Sequence, residues 1–251
     1  MGKNKVIKGK CHICGEVGEL TYEHLPTKAA FNSDPVMRGN TKRIICRWPN
    51  GFNDADIQQQ GAGENTLCRK CNSNTGGWYG NQYIDWCRKG MQILARAGYA
   101  PPLIYLYYLY PLPIIKQVIS MFCSIECDDF TDRNPELRAF VLYKNKKNLH
   151  PKYRFFSYFN TEGLCRYIGN ATRIDFESGQ IIKLCEMSFP PFGYVMTIDS
   201  PPPDNRLFEI THFSKYGYHE LVDMKLKLPV LPTHTFLPGD YRSKKEIVEV
   251  K

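Results

Sequence analysis

The segments CHICGEVGELTYEHLP (residues 11–26) and ENTLCRKCNSNTGGW (residues 64–78) decide how the first third of the chain folds. Each carries a Cys-x-x-Cys pair, Cys11/Cys14 and Cys68/Cys71. One such knuckle sets two thiolates on a tight turn, and two knuckles supply the four soft ligands that tetrahedral zinc takes. Four sulfurs leave the metal no open position, so it is expected to be structural, with His12 a surface residue rather than a ligand. Any chemistry must then come from what the clamp holds in place. Leu20-Thr21-Tyr22 reads as a short strand that delivers Glu23 and His24 to its end, just before Pro26. Asn72 follows the last cysteine and opens the segment that becomes a helix. Joining the knuckles brings Glu23, His24 and Asn72 together, although forty-three residues separate His24 from Cys68.

The order Cys-x-x-Cys, strand, Glu23-His24, Asn65-x-Leu-Cys-x-x-Cys-Asn72, helix resembles the HNH endonuclease family with its ββα-metal fold. It is especially similar to the members clipped by a four-cysteine zinc, over about residues 8–96. The resemblance implies that His24 is the general base that activates water. Glu23 and Asn72 would hold a divalent cation, and Asn65 would match the middle asparagine that braces the loop. Two features depart from the pattern: the long spacer, and Ser73-Asn74-Thr75-Gly76 where a basic residue or histidine usually follows the last cysteine. Asn74 is therefore a rival ligand to Asn72. Chemistry supports the same assignment, because phosphodiester hydrolysis needs a deprotonated water and a cation on the scissile phosphate. A neutral imidazole can take the proton, and a carboxylate with an amide oxygen suits Mg²⁺ or Mn²⁺.

The chain has 251 residues and a formal charge of +8. Residues 1–100 hold 14 Lys/Arg against 8 Asp/Glu, so most of the excess lies in the zinc-clipped third. That distribution favours a polyanionic partner, and the nuclease resemblance makes it DNA more than RNA. Lys28, Arg43, Arg47, Arg69 and Lys70 are the cations nearest the motif, behind a basic N-terminal arm that includes Lys8 and Lys10. The insertion from Ala29 to Glu64 is rich in Asn, Gln and Gly, and only Arg43–Trp48 reads as a strand within it; Trp48 is either a base-stacking ring or an apolar plug. The basic start lacks an apolar run after it, and the cysteines outside the knuckles are scattered in apolar or mixed stretches. Both features lead to the expectation of a cytoplasmic protein with reduced thiols.

After Asn74, Trp78, Tyr79, Tyr83, Trp86, Cys87, Met91 and Leu94 recur near helical spacing up to about Arg96. Gly98 and Pro101-Pro102 suggest a boundary, which gives a nuclease-like module over residues 1–100 and a second domain over 101–251. Leu103–Tyr110 reads as a buried strand, followed by helices around 114–124 and from Pro135 to about Tyr143. Pro111, Pro113 and Lys116 break the apolar run, so no membrane span is expected. Cys123 and Cys127 are four apart and would share a helix face. From Tyr153 onward, four strand-like segments separated by Gly, Asn, Ser and Pro suggest a mainly antiparallel sheet, with Phe176–Gln180 as a hairpin turn. The fold class is α+β, with the C-terminal domain a candidate for target recognition, sensing, or contact with a second copy or a partner protein. Two functions follow: a metal-dependent endonuclease, for which the family resemblance implies bacterial or phage DNA processing, restriction or antiviral defence, or a zinc-organised nucleic-acid-binding protein that does not cut.

Overall fold

The structure is a computed structural model that describes residues 6–40, 55–98, 103–174 and 179–249. Arg43, Arg47, Trp48, the Arg43–Trp48 strand and most of the Phe176–Gln180 turn lie outside those residues. Strand β1 (Ile7–Lys10) runs antiparallel to β2 (Val17–His24) with the first knuckle as their turn, and β2 pairs on its other side with β5 (Gly63–Cys68). The β2–β5 register sets Leu20 opposite Cys68, Tyr22 opposite Asn65 and His24 opposite Gly63, with an irregularity between Thr21 and Tyr22. Two short strands of the insertion, β3 (Val36–Arg38) and β4 (Asp56–Gln58), form a separate antiparallel pair.

Helix α1 (Arg69–Arg96) begins directly after β5, five residues earlier than the apolar spacing after Asn74 suggests. The reason is local: Cys68 stands in extended conformation as N-cap, and its sulfur accepts the Cys71 backbone N–H. A polar cap is thus replaced by the metal-ligand turn itself, which hydropathy cannot show. Tyr79, Tyr83, Trp86, Gly90 and Leu94 form the buried stripe of α1. Gly90 is required there, since a Cβ would lie 2.4 Å from the Phe192 ring.

That stripe packs on α2 (Pro111–Ile125), a helix with fourteen of its fifteen residues buried. Such a helix is buried on every side because it is surrounded, not because it crosses a bilayer; no helix among the described residues is long and apolar enough for that. Short helices α3 (Phe130–Arg133) and α4 (Pro135–Leu142) close one end of it. Beyond them stand β7 (Tyr153–Phe159), β8 (Arg166–Ile174), β9 (Ile181–Phe189), β10 (Phe192–Ile198) and β11 (Phe208–Glu209). They form one antiparallel sheet in the order β11-β7-β10-β9-β8. A 3-10 turn, Thr211–Lys215, follows β11, and a final short helix α5 spans Lys244–Val248.

Two expectations are corrected here. Among the described residues the strand β6 (Leu103–Leu109) pairs only with β12 (Val222–Leu228), and it is half-buried: Tyr107 and Leu109 face the core while Ile104, Leu106 and Tyr108 face outward. Cys123 and Cys127 do not share a helix face, because α2 stops at Ile125 and leaves Cys127 exposed in the following turn. A single apolar cluster runs from Cys11 through Trp86, Phe122 and Phe155 to Leu228. At its centre Trp86 stacks on Phe192 with ring centroids 4.5 Å apart, and its Nε1 donates to the Tyr194 hydroxyl at 3.0 Å. The first third of the chain and the large sheet therefore share one core.

Candidate metal centre and active site

Each knuckle is built by short backbone bonds. Cys11 N–H donates to Glu16 O at 2.8 Å and Gly15 N–H to Cys11 O at 2.9 Å, with Gly15 at φ +80°, a conformation that favours glycine. The His12 N–H donates to Thr66 O at 3.0 Å, which ties the first knuckle to β5 and so to the second. The outcome is that the sulfurs of Cys11, Cys14, Cys68 and Cys71 all lie within 4.8 Å of one another. A Zn–S bond of about 2.3 Å gives a tetrahedron with edges of about 3.8 Å. Cys14 Sγ and Cys68 Sγ, from opposite knuckles, are 3.8 Å apart. The four thiols are placed to bind a metal ion, and the donor set is that of a structural zinc.

Electrostatics lead to the same conclusion. Hydrogen bonding from Cys71 holds the Cys11 thiol well below its usual range, while the same contact pushes Cys71 up and burial pushes Cys14 up. Four sulfurs this close cannot all be thiolates unless a cation sits among them. His12 does not join the four sulfurs, and it is half-buried rather than a surface residue, with its Nδ1 buried and without a partner among the described residues.

The clamp fixes the end of β2. Side chains alternate along a strand, so Thr21 and Glu23 share one face while Tyr22 and His24 share the other. On the outer face, Tyr22 and His24 meet edge to face with ring centroids 5.0 Å apart. Both rings reach successive carbonyls of the segment before β5: Tyr22 OH donates to Gly61 O at 3.0 Å, and His24 Nε2 lies 3.0 Å from Gln60 O. A carbonyl can only accept, so Nε2 carries the proton and Nδ1 keeps its lone pair. His24 is half-buried, oriented and in its basic tautomer.

On the inner face, Asn72 in the first turn of α1 donates its amide to Thr21 Oγ1 at 3.0 Å and to Tyr22 O at 3.1 Å. Both donors of the amide are thereby spent, and its Oδ1 takes no bond from any described residue. Glu23 faces the same side but points deeper. Its carboxyl is buried and accepts from Ser124 of α2 at 2.5 Å. Burial pushes this carboxyl up to about 8, against the Ser124 bond, which favours the ionised form. The structure thus brings Asn72 to β2 beside Glu23 and His24, but His24 and the Glu23 carboxyl lie on opposite faces of the strand.

Asn65 stands across from Tyr22 at the rim, and its side chain bonds to no described residue. The loop after His24 is braced instead by Asn32, which hydropathy gives no reason to single out. This buried asparagine donates to Pro26 O and to Ala62 O, and accepts from Ala62 N–H, all at 2.7 Å. Gly61 is obligatory beside it, with φ +89° and a would-be Cβ 2.3 Å from Asn32 O. Asn74 is half-buried, one turn position beyond Asn72. Lys28, Arg69 and Lys70 are exposed, the last two on the first turn of α1 next to Asn72.

Compared with known families, curated proteins and solved structures, the chain matches none.

Proposed function

We propose that the protein is a metal-dependent endonuclease of the HNH type that hydrolyses phosphodiester bonds in DNA. The observation that carries this reading is His24: its imidazole is oriented by Gln60 O, so the free Nδ1 can take a proton from water. A thiol clamp that holds a base at a strand end, with an asparagine amide tied to the same strand, is the arrangement a one-cation nuclease needs. A hard cation such as Mg²⁺ or Mn²⁺ would stabilise charge on the scissile phosphate; the Asn72 amide oxygen would hold it, joined by Glu23 only once that carboxyl turns out from Ser124. Asn72 suits this role because its nitrogen is already committed to β2, which turns its oxygen away from the strand. Exposed Lys28, Arg69 and Lys70 would hold the flanking backbone.

A second reading, a zinc-organised nucleic-acid-binding protein without cleavage, is favoured by one observation: the Glu23 carboxyl is turned into the core against Ser124. One variant separates the two. His24→Ala is expected to abolish Mg²⁺- or Mn²⁺-dependent nicking of plasmid DNA while zinc content and DNA affinity stay at wild-type values. Wild-type protein that holds zinc and binds DNA but never nicks it supports the second reading.

A further inference from the structure

The described structure contains a surface groove far along the sequence from His24, of about 530 Å³, between the segment 148–154 and the turn 211–215. Its two walls are tied together: Asn148 N–H donates to Ser214 O at 2.9 Å, and Leu149 N–H to the Ser214 hydroxyl at 3.4 Å. The chain enters the groove through the sequence YKNKKNLHPK (residues 143–152), with four lysines and no acid; Asn148, Leu149 and Pro151 of this stretch line the groove, and its lysines are not among the lining residues. The even charge balance of residues 101–251 conceals this local concentration.

The cations divide into two groups. Lys152 pairs with Glu136, and Arg154 with Glu209. Lys144, Lys146, Lys147 and, on the opposite wall, Lys215 are exposed and have no carboxylate partner among the described residues. Exposed lysines in a row, next to a groove that Lys215 lines and whose lining acid, Glu209, is paired with Arg154, make a local field that attracts successive phosphates. Rings are interleaved with them: Tyr143 is 66 % exposed, and Lys144 sits over Tyr218 at 5.3 Å from the ring centre. Flat rings between cations suit a nucleic-acid strand, whose bases stack while its phosphates pair.

The basic segment also touches the helix that carries Asn72. The Tyr218 hydroxyl donates to Trp78 O on α1, and Lys144 sits over the Tyr218 ring. Trp78 lies six residues after Asn72, about 9 Å along the helix.

We propose that this groove is a second nucleic-acid-binding site, which holds the phosphate backbone of the target away from the point of cleavage. This rests on the nuclease reading for its purpose but not for its test, which measures binding alone. The probes are a 20-base-pair DNA duplex and the corresponding single strand, titrated with the zinc-loaded full-length protein without divalent cation. The triple variant Lys146→Glu, Lys147→Glu, Lys215→Glu is compared with Lys225→Glu, Lys227→Glu, which reverses charge on exposed β12 positions outside the groove. Zinc content and thermal midpoint show that both variants remain folded. The groove variant is expected to bind at least tenfold more weakly, and the slope of log Kd against log salt should fall by roughly 2 to 3 for duplex. The β12 variant should stay within a factor of three of wild type. Equal losses in both variants would make the effect one of net charge and overturn the proposal, as would unchanged affinity in the groove variant. Loss of nicking in His24→Ala with unchanged groove binding leaves both readings standing. Failure of wild-type protein to nick, with the groove variant still weakened, removes the nuclease and keeps the site.

Discussion

Asn32 allows the sharpest test of how the loop beside His24 is held. Its side chain is fully buried and makes three bonds of 2.7 Å, two as donor and one as acceptor. Asn32→Ala removes all three and leaves Pro26 O, Ala62 O and Ala62 N–H buried. A buried group left without its partner costs ~1–3 kcal/mol, and water entering the small void recovers part of that, so a loss of roughly 2–4 kcal/mol is expected. Asn32→Asp keeps the shape but turns an acceptor toward two carbonyl oxygens. At pH 7 it should therefore be less stable than Asn32→Ala. The sign with pH is distinctive. Burial and the two carbonyls raise the introduced carboxyl above its unfolded value of about 3.9, so the folded variant binds a proton at pH values where the unfolded chain does not. Its stability should rise as pH falls from 7 toward 5, since the protonated group can donate to one carbonyl. Denaturant melts of zinc-loaded protein at pH 5, 6 and 7 measure this, and nicking assays follow the consequence for His24. Gln60, whose carbonyl orients the imidazole, is two residues from Ala62, and misplacing a catalytic group by about 1 Å can cost 10²-fold. If Asn32→Ala lies within 0.5 kcal/mol of wild type, or Asn32→Asp is insensitive to pH, the bracing argument is wrong.

Cys71→Ala should leave three sulfurs, lose tightly held zinc and lower the melting temperature; metal analysis showing one zinc per chain in this variant would refute the four-sulfur clamp. Glu23→Gln keeps the size of the side chain and the Ser124 contact. It is expected to cut nicking more than 100-fold at unchanged or slightly higher stability, and undiminished cleavage would reassign Glu23 to packing. Lys116 is buried within α2, with its ammonium donating to Phe140 O and to Tyr143 O (2.8 Å for the latter) at the end of α4. Burial lowers it to about 7 from an ordinary 10.5. Between those values the unfolded chain binds the extra proton, so wild-type stability should rise with pH across that window, by at most about 1.4 kcal/mol per pH unit. Lys116→Met removes the titrating group, and denaturation at pH 7, 8 and 9 should show the wild-type advantage growing; a difference independent of pH would contradict it.

The clamp was legible because metal ligation is encoded in spacing: two Cys-x-x-Cys pairs specify four sulfurs whatever lies between them. The strands from Tyr153 to Ile198 were legible because short runs rich in aromatic and aliphatic residues are bounded by turn-forming ones, although β7 and β10 are buried on both faces and show no alternation. What sequence could not supply was the partner of each site residue. The Gln60 carbonyl that fixes the tautomer of His24 is backbone, and any residue type would provide it. The Asn32 brace depends on Ala62 and Gly61 arriving beside it from thirty residues away. The direction of Glu23 was also hidden. A dipeptide written Glu23-His24 looks like a pair, yet neighbouring strand positions face opposite sides, and only α2 with Ser124 shows which side is core. The half-exposed β6 misled for the related reason that a run of apolar residues does not reveal how many strands will cover it.

The placement of the hairpin end within a shared core has a consequence for control. Three contacts from residues beyond 101 touch the clamped third at its working parts: Thr131 bonds His12 O in the first knuckle at 2.8 Å, Ser124 bonds Glu23, and Tyr167 of β8 bonds Leu25 O, next to His24, at 2.6 Å. Each comes from a different element, α3, α2 and β8, and all three pack on the sheet or helices that carry the basic groove. A ligand in the groove that moved the 211–215 turn would press on α2, because that turn packs directly against it. A shift of α2 by one ångström would lengthen the 2.5 Å Ser124 bond to about 3.5 Å, the edge of hydrogen-bonding range. The 211–215 turn, α2 and Glu23 thus touch one after the other.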